Sequence, residues 1–194
     1  MTDSAPAETP LFIPLILGTP RQGRASEHVA RYVFRHFAAI GGVETELVDV
    51  REIPLPASDA GEAIKDPRFS ELCMRADAFV LVTPEYNHGY PGILKHALDS
   101  NLKEYIHKAV GICGVSAGPF GGTRVIENLL PVLRELGLVT IFWDVAFSGV
   151  RKLFDASGAI LDPAYEGRLR RFSNELVWMA RVLRAGRVRV PLAG

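Results

Sequence analysis

Short apolar runs alternate along the chain with longer segments in which apolar residues recur every three or four positions. Leu11–Leu17 is the first run, ended by Gly18. Pro14 lacks the N–H that an interior ladder needs, so pairing is expected mainly at Leu15–Leu17. In Glu27–Ile40, Val29, Val33 and Phe37 recur beside Ala30, Phe34 and Ala38, with Arg31, Arg35 and His36 on the other side. That spacing predicts an amphipathic helix. Gly41-Gly42 stops it, and Thr45–Val50 reads as a second strand. Residues 51–65 carry Pro54 and Pro56 and have no period, so they read as a loop. Asp66-Pro67 looks like an N-cap followed by proline at the first helical position, opening a short helix to Ala76. Strands are predicted at Ala78–Thr83, Ala109–Val115 and Val139–Val145, and helices at Pro91–Asn101 and at Thr123–Leu136, closed by Gly137. Asp162-Pro163 opens a last helix, with Leu169, Phe172, Leu176, Ala180 and Leu183 on one face.

Five strands separated by helices with short connections imply a parallel sheet covered on both faces. Right-handed crossovers restrict this to a doubly wound α/β fold. The domain is expected over residues 11–185, between a flexible segment 1–10 and a tail 186–194. The 194 residues are enough for one core of ordinary size. Residues 1–10 lack a basic stretch followed by an apolar one, and no apolar run approaches the ~20 residues needed to span a bilayer. A cytoplasmic protein with no membrane role is expected.

Net charge is zero, from 22 basic and 22 acidic residues, which removes the global basic signal of a nucleic-acid binder. The arginines from Arg181 to Arg189 read most simply as a solvated helix end favoured by the dipole. Cys73 and Cys113 lie far apart in apolar runs, which makes them buried thiols and not a redox or metal pair. His28, His36, His96 and His107 have no metal-ligand spacing, so no metal is expected. Trp143 and Trp178 read as core or interface residues. No G-x-S-x-G elbow is present.

In a doubly wound sheet, ligands bind beyond the carboxyl ends of the strands. Three loops of unusual composition fall there. Gly18–Ser26 places Thr19, Arg21, Arg24 and Ser26 ahead of a helix N-terminus, where backbone amides and the dipole suit a phosphate. The alternative is that Ser26 simply N-caps the helix and the arginines are solvated. The loop is neither a Walker loop nor G-x-G-x-x-G. Thr83–Gly92 holds Glu85, Tyr86, Asn87, His88 and Tyr90 between prolines, a backbone fit to present hydrogen bonds to a rigid ring. Glu85 and His88 alone make a weak acid–base pair. Ser116–Thr123 has three glycines that permit close approach to a ligand, and Phe120 either packs on a ring or anchors the loop.

At these loops the chain resembles the NAD(P)H-dependent FMN reductases, a flavodoxin-like family with quinone, azo-dye and metal-ion reductase members. Residues 83–99, TPEYNHGYPGILKHALD, are similar to the family's T-P-E-Y-N-x-x-x-P-G-x-L-K-N-A-[IL]-D motif. Gly18-Thr19-Pro20-Arg21 through Ser26 resembles its G-[ST]-x-R phosphate loop, and Ser116–Gly122 its third, glycine-rich loop. His96 stands where the family has Asn, and Ser100 where an aromatic is common. Both lie on the helix that contributes to dimer contacts in the family, away from the flavin loops.

The resemblance implies FMN as cofactor, with NADPH or NADH as co-substrate. It implies that Thr19, Arg21 and Ser26 hold the FMN phosphate, with Arg24 beside them. Pro84, Glu85, Tyr86, Asn87 and His88 would border the ring, with Ser116, Gly118, Gly121 and Gly122 nearby. The flavin would carry the chemistry without a catalytic residue of the protein. Hydride would pass from nicotinamide to flavin, then to a quinone, free flavin, azo compound or metal oxyanion, in a homodimer or homotetramer. An FMN electron carrier and a redox-responsive flavin-binding interaction protein are the alternatives.

Overall fold

The structure, a computed structural model, describes residues 9–58 and 64–190. Residues 1–8 and 191–194 of the two expected end segments lie outside the described residues, as do residues 59–63 of the expected loop. The chain runs β1 (Leu11–Phe12), β2 (Leu15–Leu17), α1 (Ser26–Ala38), β3 (Val43–Glu44), β4 (Leu47–Asp49), α2 (Pro67–Arg75), β5 (Ala78–Pro84), α3 (Gly92–Asp99), β6 (Ala109–Val115), α4 (Thr123–Glu135), β7 (Val139–Thr140), β8 (Val145–Phe147) and α5 (Ala164–Arg189).

All pairings among these strands are parallel, in the order β4-β2-β5-β6-β7, with β8 also on β6 and β1 on β3. The eight segments are five strands, three of them interrupted. Pro14 splits β1 from β2, as its missing N–H requires, and β3 and β4 are split in step beside them. The fifth strand, expected continuous over Val139–Val145, is broken by a bulge. Thr140 pairs with Val110 and Val145 with Cys113, so four residues face two.

Alternate residues of β5 feed two cores. Ala78, Val80 and Val82 pack with α1 and α5, while Phe79 and Leu81 pack with α2, α3 and α4. Helices therefore cover both faces, as a parallel sheet demands. Helix α2 starts as its sequence dictates, the Asp66 carboxylate accepting from the Phe69 amide at 2.8 Å with proline at N1.

One expectation is narrowed and another corrected. Trp143 and Trp178 are 42% and 59% exposed and do not enter the core. The arginine-rich end of α5 is also more than a solvated terminus. Arg187 donates to Asp77 Oδ1 at 3.0 Å and to the His107 carbonyl at 2.8 Å, and Arg184 donates to the Pro10 carbonyl at 3.1 Å. Asp77 also accepts from the Phe12 amide, so one buried carboxylate ties α5 to the first strand. Both cysteines are buried and free, and burial pushes the Cys73 thiol up to about 12. Among the described residues, no helix is long and apolar enough to cross a membrane. None of their His, Cys, Asp and Glu side chains group as a metal site.

Candidate functional site

The chain leaves β2 for β4 on one side and returns to β5 on the other, so the order of connection reverses between β2 and β5. A doubly wound fold binds ligands at such a point. A cleft of about 220 Å³ lies there, lined by Arg21 and Gly23–Ser26 of the first loop, Pro84–Tyr86 of the second and Val115–Ala117 of the third, together with Val150 and Arg151. Strand ladders hold the three loops together. The Gly18 amide donates to the Val82 carbonyl, Glu85 to Val115 and Ser116 to Phe147.

Thr19 is fully buried, and its hydroxyl meets the Tyr86 hydroxyl at 2.9 Å. The Arg21 guanidinium lies over the Tyr86 ring, 4.4 Å from its centre. Helix α1 begins at Ser26, with Ala25 at the N-cap and no side-chain cap. The N-cap role expected of Ser26 is thus not the one observed. Its hydroxyl oxygen is buried without a hydrogen-bond partner at the start of the helix, where the Glu27 and His28 amides turn back on the Arg24 and Ala25 carbonyls at 3.2 Å. A buried orphan hydroxyl at the positive end of the helix dipole suits an anion.

Arg24 is placed differently from Arg21. Its side chain is 2% exposed and pairs with both oxygens of Asp49, while Nη1 also donates to the Thr19 carbonyl. Arg51 reaches the same carboxylate at 2.6 Å. Burial alone would raise the Asp49 carboxyl, but the hydrogen bonds from Arg24 and Arg51 outweigh it and hold the group far below the usual carboxylate range. Arg24 is therefore a strut that fixes the loop from behind. Arg151, which the sequence reading passed over, borders the cleft from the turn after β8 and is exposed.

The second loop turns sharply. Tyr86 and Gly89 exchange two backbone hydrogen bonds of 2.9 Å, and the residues between them, Asn87 and His88, sit at φ 49° and 68°. Positive φ at both central positions is the requirement of a type I′ turn. Asn and His are among the non-glycine residues most often found there, yet holding them there still costs on the order of 1–3 kcal/mol each. The turn is tied to α4. Arg124 Nη1 contacts His88 Nε2 at 2.8 Å, Arg124 Nη2 pairs with Glu85 Oε1 at 2.7 Å, and the Asn128 amide donates to the His88 carbonyl. A guanidinium only donates, so in this contact the His88 ring nitrogen accepts. Sequence reasoning missed Arg124 and Asn128. Their four-residue spacing just after the third loop was the available signal.

In the third loop the Ser116 hydroxyl donates to the Gly118 carbonyl and accepts from the Gly121 amide, which closes the loop on itself. Gly121 and Gly122 have φ 64° and 85°. A Cβ on Gly122 would stand 2.5 Å from the Val115 nitrogen, and one on Gly121 would stand 2.7 Å from the Ala146 side chain. The close approach these glycines permit is to β6 and β8. Gly118 has open space around it. Phe120 is 60% exposed, with the Arg124 guanidinium 4.8 Å from its ring centre, so it neither anchors the loop nor enters the core.

Fold and cleft together define a flavodoxin-like α/β protein whose switch point suits an anion. The profile of the NADPH-dependent FMN reductases matches residues 13–151, and the chain belongs to that family. It is 36% identical over 129 residues to an NAD(P)H-dependent FMN reductase of Pseudomonas aeruginosa, covering 62% of this chain and 70% of the relative. It is 30% identical over 176 residues to an FMN-dependent NADPH-azoreductase of Staphylococcus aureus, covering 84% and 92%. Among solved structures it superposes on FerB, a flavoenzyme NAD(P)H:(acceptor) oxidoreductase of Paracoccus denitrificans, with a TM-score of 0.71 at 21% identity, over 88% of this chain and 98% of that one. A short-chain flavodoxin aligns with a TM-score of 0.58 at 17% identity, over 88% and 99%, which shows the shared fold.

Proposed function

We propose that the cleft binds FMN and that the protein is an NAD(P)H-dependent oxidoreductase, with NADPH the preferred donor and a small molecule as acceptor. Quinone, free flavin, azo compound and metal oxyanion are the acceptor classes. The carrying observation is the buried, unpartnered Ser26 hydroxyl at the N-terminus of α1, which no side chain caps, in a cleft whose other wall is Pro84–Tyr86. These residues fit the group: Ser26, the helix dipole and Arg21 would hold its phosphate, with Thr19 fixed beneath them by Tyr86. The backbone of Pro84, Glu85, Tyr86, Asn87 and His88 would face the ring, with Ser116 and Gly118 opposite. Gly121 and Gly122 would shape that wall from behind, as Arg24 does for the first loop.

When bound, FMN supplies hydride transfer between nicotinamide and acceptor, so the chain needs no nucleophile. The protein's part is to orient donor and acceptor on the open side of the cleft and to offer hydrogen bonds that favour an electron-rich ring. We place the protein in the cytoplasm, a compartment that suits its two free cysteines. We also read it as a homodimer or homotetramer, in which a subunit contact would cover the exposed Trp143 and Trp178.

The test is FMN titration followed by steady-state kinetics with both nucleotides and a panel of acceptors. Parallel-line, ping-pong kinetics are expected, and Ser26→Ala should weaken FMN by about tenfold through loss of a charge-assisted hydrogen bond. A Ser26→Ala protein that binds FMN like the wild type would remove the phosphate assignment.

A further inference from the structure

We propose that Arg124, backed by Asn128, is a positioning residue for the reaction: it holds the Pro84–His88 loop in the shape that receives the flavin ring. The inference rests on the reading of the cleft as an FMN site. Asn87 and His88 occupy left-handed backbone that their side chains disfavour, and the Tyr86–Gly89 hydrogen bonds are internal to the turn. Holding that shape in one place takes outside contacts, and α4 provides three. Two come from the separate Nη atoms of Arg124, to Glu85 and to the His88 ring, and one from Asn128 to the His88 carbonyl. Residues four apart share one helix face, so a single turn of α4 makes the whole clamp.

The Glu85 side chain is 6% exposed and its Oε2 has no partner, and among the described residues Arg124 is its counter-charge. Without Arg124, the carboxylate would be buried and unpaired, and the loop would have to move to hydrate it. Arg124 also covers the Phe120 ring, so one side chain connects the second and third loops, the two walls that would face the ring. The function depends on a planar fork with two separated donors, which lysine cannot reproduce.

The test compares Arg124→Met, Arg124→Lys and Asn128→Ala with the wild-type holoenzyme. Readouts are FMN dissociation, the visible circular dichroism of the bound flavin, and kcat against KM for NADPH at saturating FMN. Both Arg124 variants should bind FMN about tenfold or more weakly, because each strands a buried carboxylate or the His88 acceptor. At saturating FMN they should still show altered visible circular dichroism and a lowered kcat, which a loss of stability alone would not produce. Lysine restoring all three readouts, or Arg124→Met staying within about twofold of wild type, would overturn the proposal. Should Arg124→Met fail to fold, Asn128→Ala decides: weaker FMN binding with altered dichroism upholds the clamp, and wild-type values refute it. A wild type that neither binds FMN nor oxidises NADPH removes the functional reading and the clamp together. An active wild type with an indifferent Arg124→Met removes the clamp alone.

Discussion

Two arginines three residues apart, Arg21 and Arg24, look alike in the sequence, and the structure gives them opposite tasks. Arg21 stacks on Tyr86 at the cleft, while Arg24 is buried against Asp49. Local composition marks a phosphate loop but not the partner 25 residues away that takes one of its cations out of play. The Arg24–Asp49 pair makes a sharp prediction. Asp49→Ala leaves a buried guanidinium without its main counter-charge and should cost about 3 kcal/mol in urea unfolding at neutral pH. The depressed Asp49 carboxyl gives the sign of the pH dependence. Its contribution is complete above the ordinary carboxylate range and fades as pH falls, so the wild-type advantage over Asp49→Ala should shrink in acid.

At the scale of elements, most boundaries followed from pattern, because amphipathic period and N-cap chemistry are local. Helix α2 begins at Pro67, where Asp66-Pro67 placed it. The broken fifth strand was not legible, since two extra residues in an apolar run leave no periodic trace. What builds the bulge is distant: Glu175 of α5 accepts from the amides of Phe142 and Trp143 at 3.1 and 3.3 Å. Next to them, partial burial and the nearby Glu127 and Glu175 carboxylates raise the Asp144 carboxyl to about 6. Between about pH 4 and pH 6 the folded protein therefore holds more proton at this site than the unfolded chain, and stability falls as pH rises through that window. Asp144→Asn should raise Tm at pH values above this window and leave it unchanged below it, as calorimetry across the range would show. A Tm gain of the same size at every pH would mean that Asp144 is not the titrating group.

For the whole molecule, the doubly wound parallel sheet was legible because alternation and crossover handedness leave few topologies open, while the strand order β4-β2-β5-β6-β7 came from the structure. The three loops of the site were legible for a related reason: each is contiguous in sequence and leaves the carboxyl end of its own strand. Arg124 and Asn128 were not, because they act on the second loop from α4, 36 and 40 residues away from His88. The anchoring of α5 by Asp77 was hidden in the same way, in an arginine run that composition alone assigns to solvent.

The central claim is that this cleft carries FMN as a working two-electron centre. It is tested most directly by mixing the FMN-reconstituted protein with NADPH in the absence of oxygen and following the visible flavin absorption. The oxidised-flavin band should be lost with one NADPH consumed per site, and it should return when a quinone is added. Retained FMN whose band is unchanged by either NADPH or NADH would contradict the claim.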